Sequence, residues 1–169
     1  VFGRVHENIV IEDEQLNGAV FYLVSGHGGP DPGALGKYGS FTLSEDEYAY
    51  DVTLRLAKKL ISKGADVYII IKDVNDGIRD DPVLPMDQDE TTSNNESIPI
   101  NQKARLKQRT DLINKIYRNN ESSYQRLVAI HVDSRSKGEN IDVFFYHHHK
   151  STGGRRLANA IHQTFRSKY

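Results

Sequence analysis

The feature that most constrains the fold is an apolar run that ends in a glycine-rich turn. Residues Ala19–Val24 are all apolar or aromatic, and Gly26-His27-Gly28-Gly29 and Asp31-Pro32-Gly33 follow them. Such a run predicts a buried central strand. The glycines allow a sharp turn after the strand and keep bulky side chains away from His27. The combination predicts a ligand site at the end of this strand.

Strand-like and helix-like segments alternate along the chain. Apolar runs predict four strands and an additional edge strand, and apolar residues three or four positions apart predict three helices. The predicted strands are Ala19–Val24, Val67–Ile71, Leu127–Val132 and Asp142–Tyr146, with Asn8–Glu12 at the edge, and the predicted helices are Ser44–Lys63, Gln102–Arg118 and Gly154–Ser167. The alternation predicts an α/β fold, a layered domain with a central, largely parallel sheet flanked by helices. The length favours one domain over residues 1–169.

Local patterns add detail to these elements. Ser44 and Glu47 have the spacing of a capping box, and Gly64 is placed to end the first helix. Val67–Ile71 and Leu127–Val132 lack polar alternation, which predicts buried strands. The residues predicted to form the core stripe of the first helix are Val52, Leu56 and Leu60, and those predicted on one side of the second are Leu106, Ile113, Ile116 and Tyr117.

One segment interrupts the alternation. Asp73–Glu96 contains eight acidic residues and a single basic residue, Arg79. Because it offers little apolar surface to bury, this composition predicts a solvated, mobile insertion, which we delimit as residues 73–99. A lid or a protein docking site is the alternative interpretation.

Composition excludes several classes of function. The net charge is −1 and the chain has no cysteine. A nearly neutral chain gives no electrostatic argument for a nucleic-acid partner. The lack of cysteine excludes thiolate zinc sites and disulfides. No apolar run reaches the ~20 residues of a membrane span.

Three residues are candidates for a metal centre. His27 and His131 each follow an apolar run, and the carboxyl ends of parallel strands meet at one edge of a sheet. Glu45 begins the first predicted helix, although Asp46 and Glu47 beside it leave the choice of carboxylate open. A His, Glu, His set leaves coordination positions free, which is typical of catalytic zinc. The alternatives are a loop histidine at 27, a core histidine at 131 and a helix-start charge at 45.

Several segments resemble, in order, the motifs of the zinc-dependent N-acetylmuramoyl-L-alanine amidases, the cell-wall amidase family that includes the division amidases. The similarity spans roughly residues 20–160, and no single motif would be specific alone. The similar segments are Gly26–Ala34, Glu45–Glu47 with Asp51–Leu56, Arg109–Asn114, Ile130–Ser134, Val143–Tyr146 and Leu157-Ala158.

The resemblance implies a function. Members of this family hydrolyse the amide between the lactyl group of N-acetylmuramic acid and L-alanine in peptidoglycan. It implies zinc (Zn²⁺) as the cofactor, held by His27, Glu45 and His131, and it selects Glu45 over its acidic neighbours. It also implies peptidoglycan or a muropeptide as substrate, an activator protein as a further partner, and export to the periplasm or cell envelope.

The chain departs from the family pattern in two places. In the family, a glutamate on a strand after the last helix acts as general base, whereas the acidic residues after His131 are Asp133, Glu139 and Asp142, none in that context. We therefore expect the base beyond Tyr169 and a domain incomplete at its C-terminus. The stretch from Tyr146 to Arg155 is too short for the regulatory helical insertion of division amidases, unless residues are missing near His149–Gly154.

Other interpretations remain open from the sequence. A non-catalytic, zinc-retaining peptidoglycan-binding module would explain the missing glutamate, and a zinc hydrolase of another amide or ester is a third interpretation. Arg109 is either an exposed helix charge or a partner of a carboxylate near the site. The adjacent His147, His148 and His149 do not predict a metal site, because neighbouring side chains on an extended chain point to opposite faces.

Overall fold

The computed structural model describes residues 1–122, 124–132 and 143–168. The chain divides into two units, Val1–Ser134 and Arg135–Tyr169. The elements in chain order are β1 (Ala19–Ser25), β2 (Leu35–Tyr38), β3 (Phe41–Ser44), α1 (Glu45–Ser62), β4 (Asp66–Ile69), β5 (Ile71–Lys72), β6 (Thr91–Thr92), α2 (Gln102–Arg118), β7 (Tyr124–Ile130) and α3 (Thr152–Lys168).

A parallel sheet forms the centre of the first unit, in the order β4-β1-β7. Leu23 in β1 lies opposite Ile69 on one side and Val128 on the other. Every residue of β1 is buried, as the unbroken apolar run predicts. The α/β fold with a central parallel sheet is confirmed.

The two faces of β1 bury separate clusters, because successive strand residues point to opposite faces. On one face, Phe21 and Leu23 pack with Ala57 of α1. On the other face, the cluster around Tyr22 packs against Ile113 and Ile116 of α2. The sheet therefore lies between these two helices and is held in a fixed position relative to both.

Helix α1 begins and ends as predicted, but its buried face matches the predicted core stripe only in part. Gly64, at φ +85°, follows the last turn, as expected for a helix stop. The predicted capping box does not form, because the Ser44 side chain makes no cap hydrogen bond. The prediction of Val52 as a core residue was wrong: it is 44 % exposed, while Leu56 and Leu60 are partly buried. The fully buried residues of this helix include Ala49, Tyr50, Thr53, Leu54 and Ala57.

Two predicted interior strands lie at edges of the sheet within the described residues. β4 pairs only with β1 there and exposes Tyr68, so the prediction of burial on both faces was wrong. The predicted strand Val67–Ile71 is split between two strands, because its last residue, Ile71, belongs to β5, which pairs with β6. β7 likewise pairs with β1 alone and exposes Leu127.

The predicted edge strand Asn8–Glu12 is not a strand. The segment instead lies against the C-terminal end of α1, where the Glu12 amide donates to the Ser62 carbonyl at 2.7 Å. The Glu12 carboxylate pairs with Lys59 and Lys63, and these cations lower its pKa to about 2. Contacts with the helix replace the expected sheet pairing.

The acidic segment packs against the rest of the first unit, contrary to the expectation that it has too little apolar surface to do so. Leu84 is fully buried, and Ile78 joins the cluster of Tyr50 and Leu54. Arg79 forms an ion pair with the buried Glu47 at 2.8 Å. A few apolar side chains and one arginine therefore anchor a strongly acidic segment.

In the second unit, α3 agrees closely with the predicted helix. The predicted strand Asp142–Tyr146 was wrong for its described part, since 143–146 form no strand, and Asp142 lies outside the described residues. The Phe145 ring instead packs on α3, with its centroid 5.3 Å from that of Phe165.

Candidate metal centre

The loop after β1 presents His27 at the carboxyl end of the central strand. The chain leaves the strand at Gly26, whose amide still donates to the Ile130 carbonyl of β7 at 2.7 Å. His27 adopts a positive φ of 61°, a conformation that is uncommon for a residue other than glycine. Gly28 and Asp31 close the loop with a hydrogen bond of 2.8 Å between the Gly28 amide and the Asp31 carbonyl. The turn thereby directs the imidazole back across the sheet edge.

The structure brings together the three residues predicted as metal ligands. Nε2 of His27 lies 3.3 Å from one oxygen of Glu45, and Nδ1 of His131 lies 2.9 Å from the other. The two rings are perpendicular, with centroids 5.2 Å apart. One ligand atom of each residue lies within 4.8 Å of the others. We call His27, Glu45 and His131 the triad.

Glu45 is placed at the first turn of α1. Glu45 is buried, with 7 % of the residue exposed, and its carboxylate accepts a hydrogen bond from the Ala34 amide at 3.0 Å. The amide of Glu45 itself donates to the Ala34 carbonyl. This pairing fixes the helix start against the glycine loop and aims the carboxylate between the two histidines.

The acidic neighbours of Glu45 point elsewhere. Asp46 accepts a hydrogen bond from the Glu47 amide at 2.9 Å. Glu47 is bound by Arg79 and accepts from the Asp87 amide at 2.8 Å. Burial raises the pKa of the Glu47 carboxyl even though Arg79 acts to lower it. Side-chain direction therefore places Glu45, and not Asp46 or Glu47, beside the two histidines.

An aspartate and an arginine support His27 from behind. Nδ1 of His27 lies 2.9 Å from Oδ2 of Asp31, which leaves Nε2 free to face Glu45. Asp31 in turn forms an ion pair with Arg105 of α2. Burial acts to raise the pKa of Asp31, but hydrogen bonds from His27 and Gly33 outweigh it and the net shift is downward. A carboxylate behind a ligating histidine fixes its tautomer and orientation.

Arg109 fits neither of its predicted roles. Its guanidinium is buried and donates to the carbonyls of Ser25 and His27. Burial, with Arg105 nearby, lowers the pKa of Arg109 to about 10. Arg105, one turn earlier on the same face of α2, was missed by the sequence reasoning, although the four-residue spacing of the two arginines was a signal for it.

Leu106 and Tyr117, predicted among the apolar residues of this helix, are exposed.

Two glycines make room for the triad. A Cβ built at Gly26 would lie 2.4 Å from Nδ1 of His131. A Cβ built at Gly33, where φ is +70°, would lie 2.7 Å from the His27 ring and 2.8 Å from Glu45. A side chain at either position would collide with the triad. Glycine is therefore required at both positions because the triad side chains lie so close to the backbone there.

The donor set fits zinc. Two imidazole nitrogens and one carboxylate oxygen match a catalytic zinc site, which has three protein ligands and at least one open position. The His131 side chain is 55 % exposed, so the triad is open to solvent on that side. The adjacent His147, His148 and His149, which were not predicted to bind metal, are exposed and belong to the second unit. The late acidic residues Asp133, Glu139 and Asp142 lie outside the described residues.

A further carboxylate, Glu90, reaches the glycine loop from the acidic segment and was not predicted. Oε2 of Glu90 accepts a hydrogen bond from the Gly29 amide at 2.7 Å. Burial raises the pKa of the Glu90 carboxyl to about 8, and Asp46 and Glu47 add to the shift. The segment that the sequence assigned to solvent therefore supports the loop that carries His27.

One of the comparisons with known proteins gave a match. A family model described as N-acetylmuramoyl-L-alanine amidase matches residues 22–169. Neither curated proteins nor solved structures gave a significant match. None of the helices in the described part of the chain has the length and apolar character needed to cross a membrane.

Proposed function

The chain belongs to the N-acetylmuramoyl-L-alanine amidase family, and from this premise we propose that it hydrolyses the amide between N-acetylmuramic acid and L-alanine in peptidoglycan, with zinc held by His27, Glu45 and His131. The observation that carries the proposal is the convergence of these three side chains within 4.8 Å at the carboxyl edge of the sheet. We further propose one zinc amidase domain over residues 1–169, with 73–99 as an insertion.

The protein groups have separable roles in this proposal. His27 and His131 supply nitrogen ligands, and Asp31 holds the His27 ring so that Nε2 faces the site. The Ala34 amide keeps the Glu45 carboxylate in place between the rings. When bound there, zinc supplies a Lewis acid that polarises the amide carbonyl and acidifies water.

The exposure of the triad suits a polymeric substrate. Amide bonds in peptidoglycan lie between a glycan and a stem peptide, so the site must admit a bulky chain from one side. His131 is the exposed member, whereas Glu45 is buried and His27 is half-buried. We propose that the substrate approaches from the His131 side, and that the protein acts outside the cytoplasm, in the periplasm or cell envelope.

Zinc binding is tested first, by metal analysis of purified protein. The wild-type chain is expected to hold one zinc per molecule. His131→Ala is expected to lose it, because only two of the three protein donors would remain. The matched control is His149→Ala, an exposed histidine in the second unit, which is expected to keep the zinc. Full zinc in His131→Ala would refute the ligand assignment.

Activity is tested by mass spectrometry of peptides released from purified peptidoglycan. Zinc-loaded protein is expected to release stem peptides with a free L-alanine amino group, and Glu45→Gln is expected to release none. Zinc-loaded protein that binds peptidoglycan without releasing peptide would favour the non-catalytic binding module. Release of another product would favour hydrolysis of a different amide or ester.

A further inference from the structure

A second cluster of carboxylates lies in the acidic segment, apart from the triad. Asp73, Asp87 and Asp89 each offer one carboxylate oxygen, and these oxygens lie within 4.8 Å of one another. Asp73 is buried, Asp87 is partly buried and Asp89 is exposed. We call these three residues the aspartate cluster.

The cluster is not balanced by a direct ion pair within the described residues, although Arg79 interacts with Asp73 at longer range. Within the residues that the structure describes, none of the three aspartates forms an ion pair with a lysine, arginine or histidine. Arg79, the basic residue of the segment, pairs with Glu47 and Asp76 instead. Burial and the repulsion of Asp73 and Asp87 raise the pKa of the Asp89 carboxyl. Three carboxylates this close repel one another unless a cation lies between them.

An independent observation at Asp73 points to a ligand. Oδ1 of Asp73 accepts hydrogen bonds from the Asn75 and Asp76 amides at 2.9 and 2.7 Å. Oδ2 is buried and has no hydrogen-bond partner among the described residues, and the residue as a whole is 5 % exposed. A buried carboxylate oxygen without a partner is costly. It is therefore the oxygen that is free to coordinate an ion.

We propose that Asp73, Asp87 and Asp89 bind a Ca²⁺ ion. All three donors are carboxylate oxygens, which hard cations prefer, and the cluster contains no nitrogen or sulfur donor. Ca²⁺ binds oxygens at about 2.3–2.6 Å in flexible geometry, so oxygens up to about 4.8 Å apart can share one ion. Asn75 lies beside the cluster, with Nδ2 3.0 Å from Asp89, and rotation of its amide would offer a fourth oxygen.

The proposed ion connects to the triad through one residue. Glu90 follows Asp89 directly and holds the Gly29 amide of the glycine loop. An ion at the aspartate cluster would therefore fix the part of the acidic segment that supports this loop. The proposal goes beyond the amidase function and does not depend on it.

The first measurement is calorimetric titration of the zinc-loaded protein with CaCl₂. Saturable binding is expected, with a dissociation constant on the order of 10⁻⁴–10⁻³ M for a partly exposed site. Asp89→Asn and Asp73→Asn are each expected to weaken binding about tenfold or more. Asn at 73 keeps the acceptor for the neighbouring amides, and Asp89 is exposed, so its variant is expected to fold. Asp111→Asn, at an exposed carboxylate of α2, is the control and is expected to bind like wild type.

The second measurement uses Tb³⁺, which replaces Ca²⁺ and emits when a nearby tyrosine is excited. The Tyr50 hydroxyl accepts from the Asp73 amide at 3.1 Å, so sensitised emission is expected and added Ca²⁺ is expected to quench it. His131→Ala is expected to retain this signal, which separates the cluster from the triad. The proposal is overturned if no saturable Ca²⁺ binding occurs up to 10 mM (roughly tenfold above the expected range), if Asp89→Asn binds as wild type does, or if Mg²⁺ binds equally well.

Discussion

Gly26 shows how strictly single residues determine the geometry of the triad. A Cβ at this position would lie 2.4 Å from the His131 nitrogen that faces Glu45. We predict that Gly26→Ala displaces His131 and lowers zinc affinity by roughly tenfold or more. Competition with a chromophoric chelator would measure the change.

The matched control for this substitution is Gly36→Ala. Gly36 lies in β2, and the nearest atom to a built Cβ there is Cβ of Leu43 at 3.9 Å, an ordinary contact. Neither glycine has a positive φ, so neither substitution forces an alanine into the left-handed region. Equal zinc affinity in the two variants would show that close approach at position 26 does not hold His131.

At this scale the sequence predicts the members of the triad better than the residues that support them. His27 and His131 could be predicted because each follows an apolar run, and such runs end at one edge of a parallel sheet. Glu45 could be chosen only through the family resemblance. Asp31 and Arg105 could not be paired, since they are far apart in sequence and only the packing of α2 brings them together.

Among the elements, the acidic segment differs most from its prediction. Average composition suggested solvation, but a few apolar positions decide the packing of the segment. Leu84 is fully buried, so we predict that Leu84→Ala lowers the free energy of unfolding by about 2–4 kcal/mol. Val74→Ala, at an exposed position of the same segment, is expected to change it by less than about 0.5 kcal/mol.

Urea denaturation of the two variants measures the difference. Limited proteolysis provides a second readout, because a packed segment resists cleavage until it opens. If Leu84→Ala were as stable as Val74→Ala, the segment would contribute no packing energy, and the original expectation of a solvated insertion would be restored.

Helix α1 shows why a predicted helix can be right while its predicted buried face is only partly right. The spacing of Val52, Leu56 and Leu60 satisfies a helical repeat, but so do Tyr50, Leu54 and Ala57. The second set is fully buried against the sheet and the acidic segment. In the first set, Leu56 and Leu60 are partly buried and Val52 is exposed. Periodicity identifies a helix, whereas the choice between two compatible stripes depends on the neighbours on which the helix packs.

On the scale of the whole molecule, the class of fold followed from the alternation of strands and helices, but the order of strands did not. Apolar runs at Val67–Ile71 and Leu127–Val132 suggested interior strands, and within the described residues both lie at edges. Val67, Ile69 and Val128 pack in the cluster that contains Ala57 of α1. Ile70 and Ile71 pack with Ile98, whereas Leu127 is exposed. An apolar run therefore does not by itself predict an interior strand, because helices and loops can bury it as well as neighbouring strands.

The buried carboxyl groups give the whole molecule a predictable response to pH. Burial raises the pKa of Glu90 from 4.5 to about 8. Between these values the folded state holds a proton that the unfolded state has released, so the stability from this group is lost as pH rises towards 8. We predict that Glu90→Gln, which keeps an acceptor for the Gly29 amide, makes the melting temperature of metal-free protein fall less steeply between about pH 5 and 8. Glu14→Gln, at an exposed site, should leave the slope unchanged, and parallel profiles for wild type and Glu90→Gln would mean that Glu90 is ionised throughout this range.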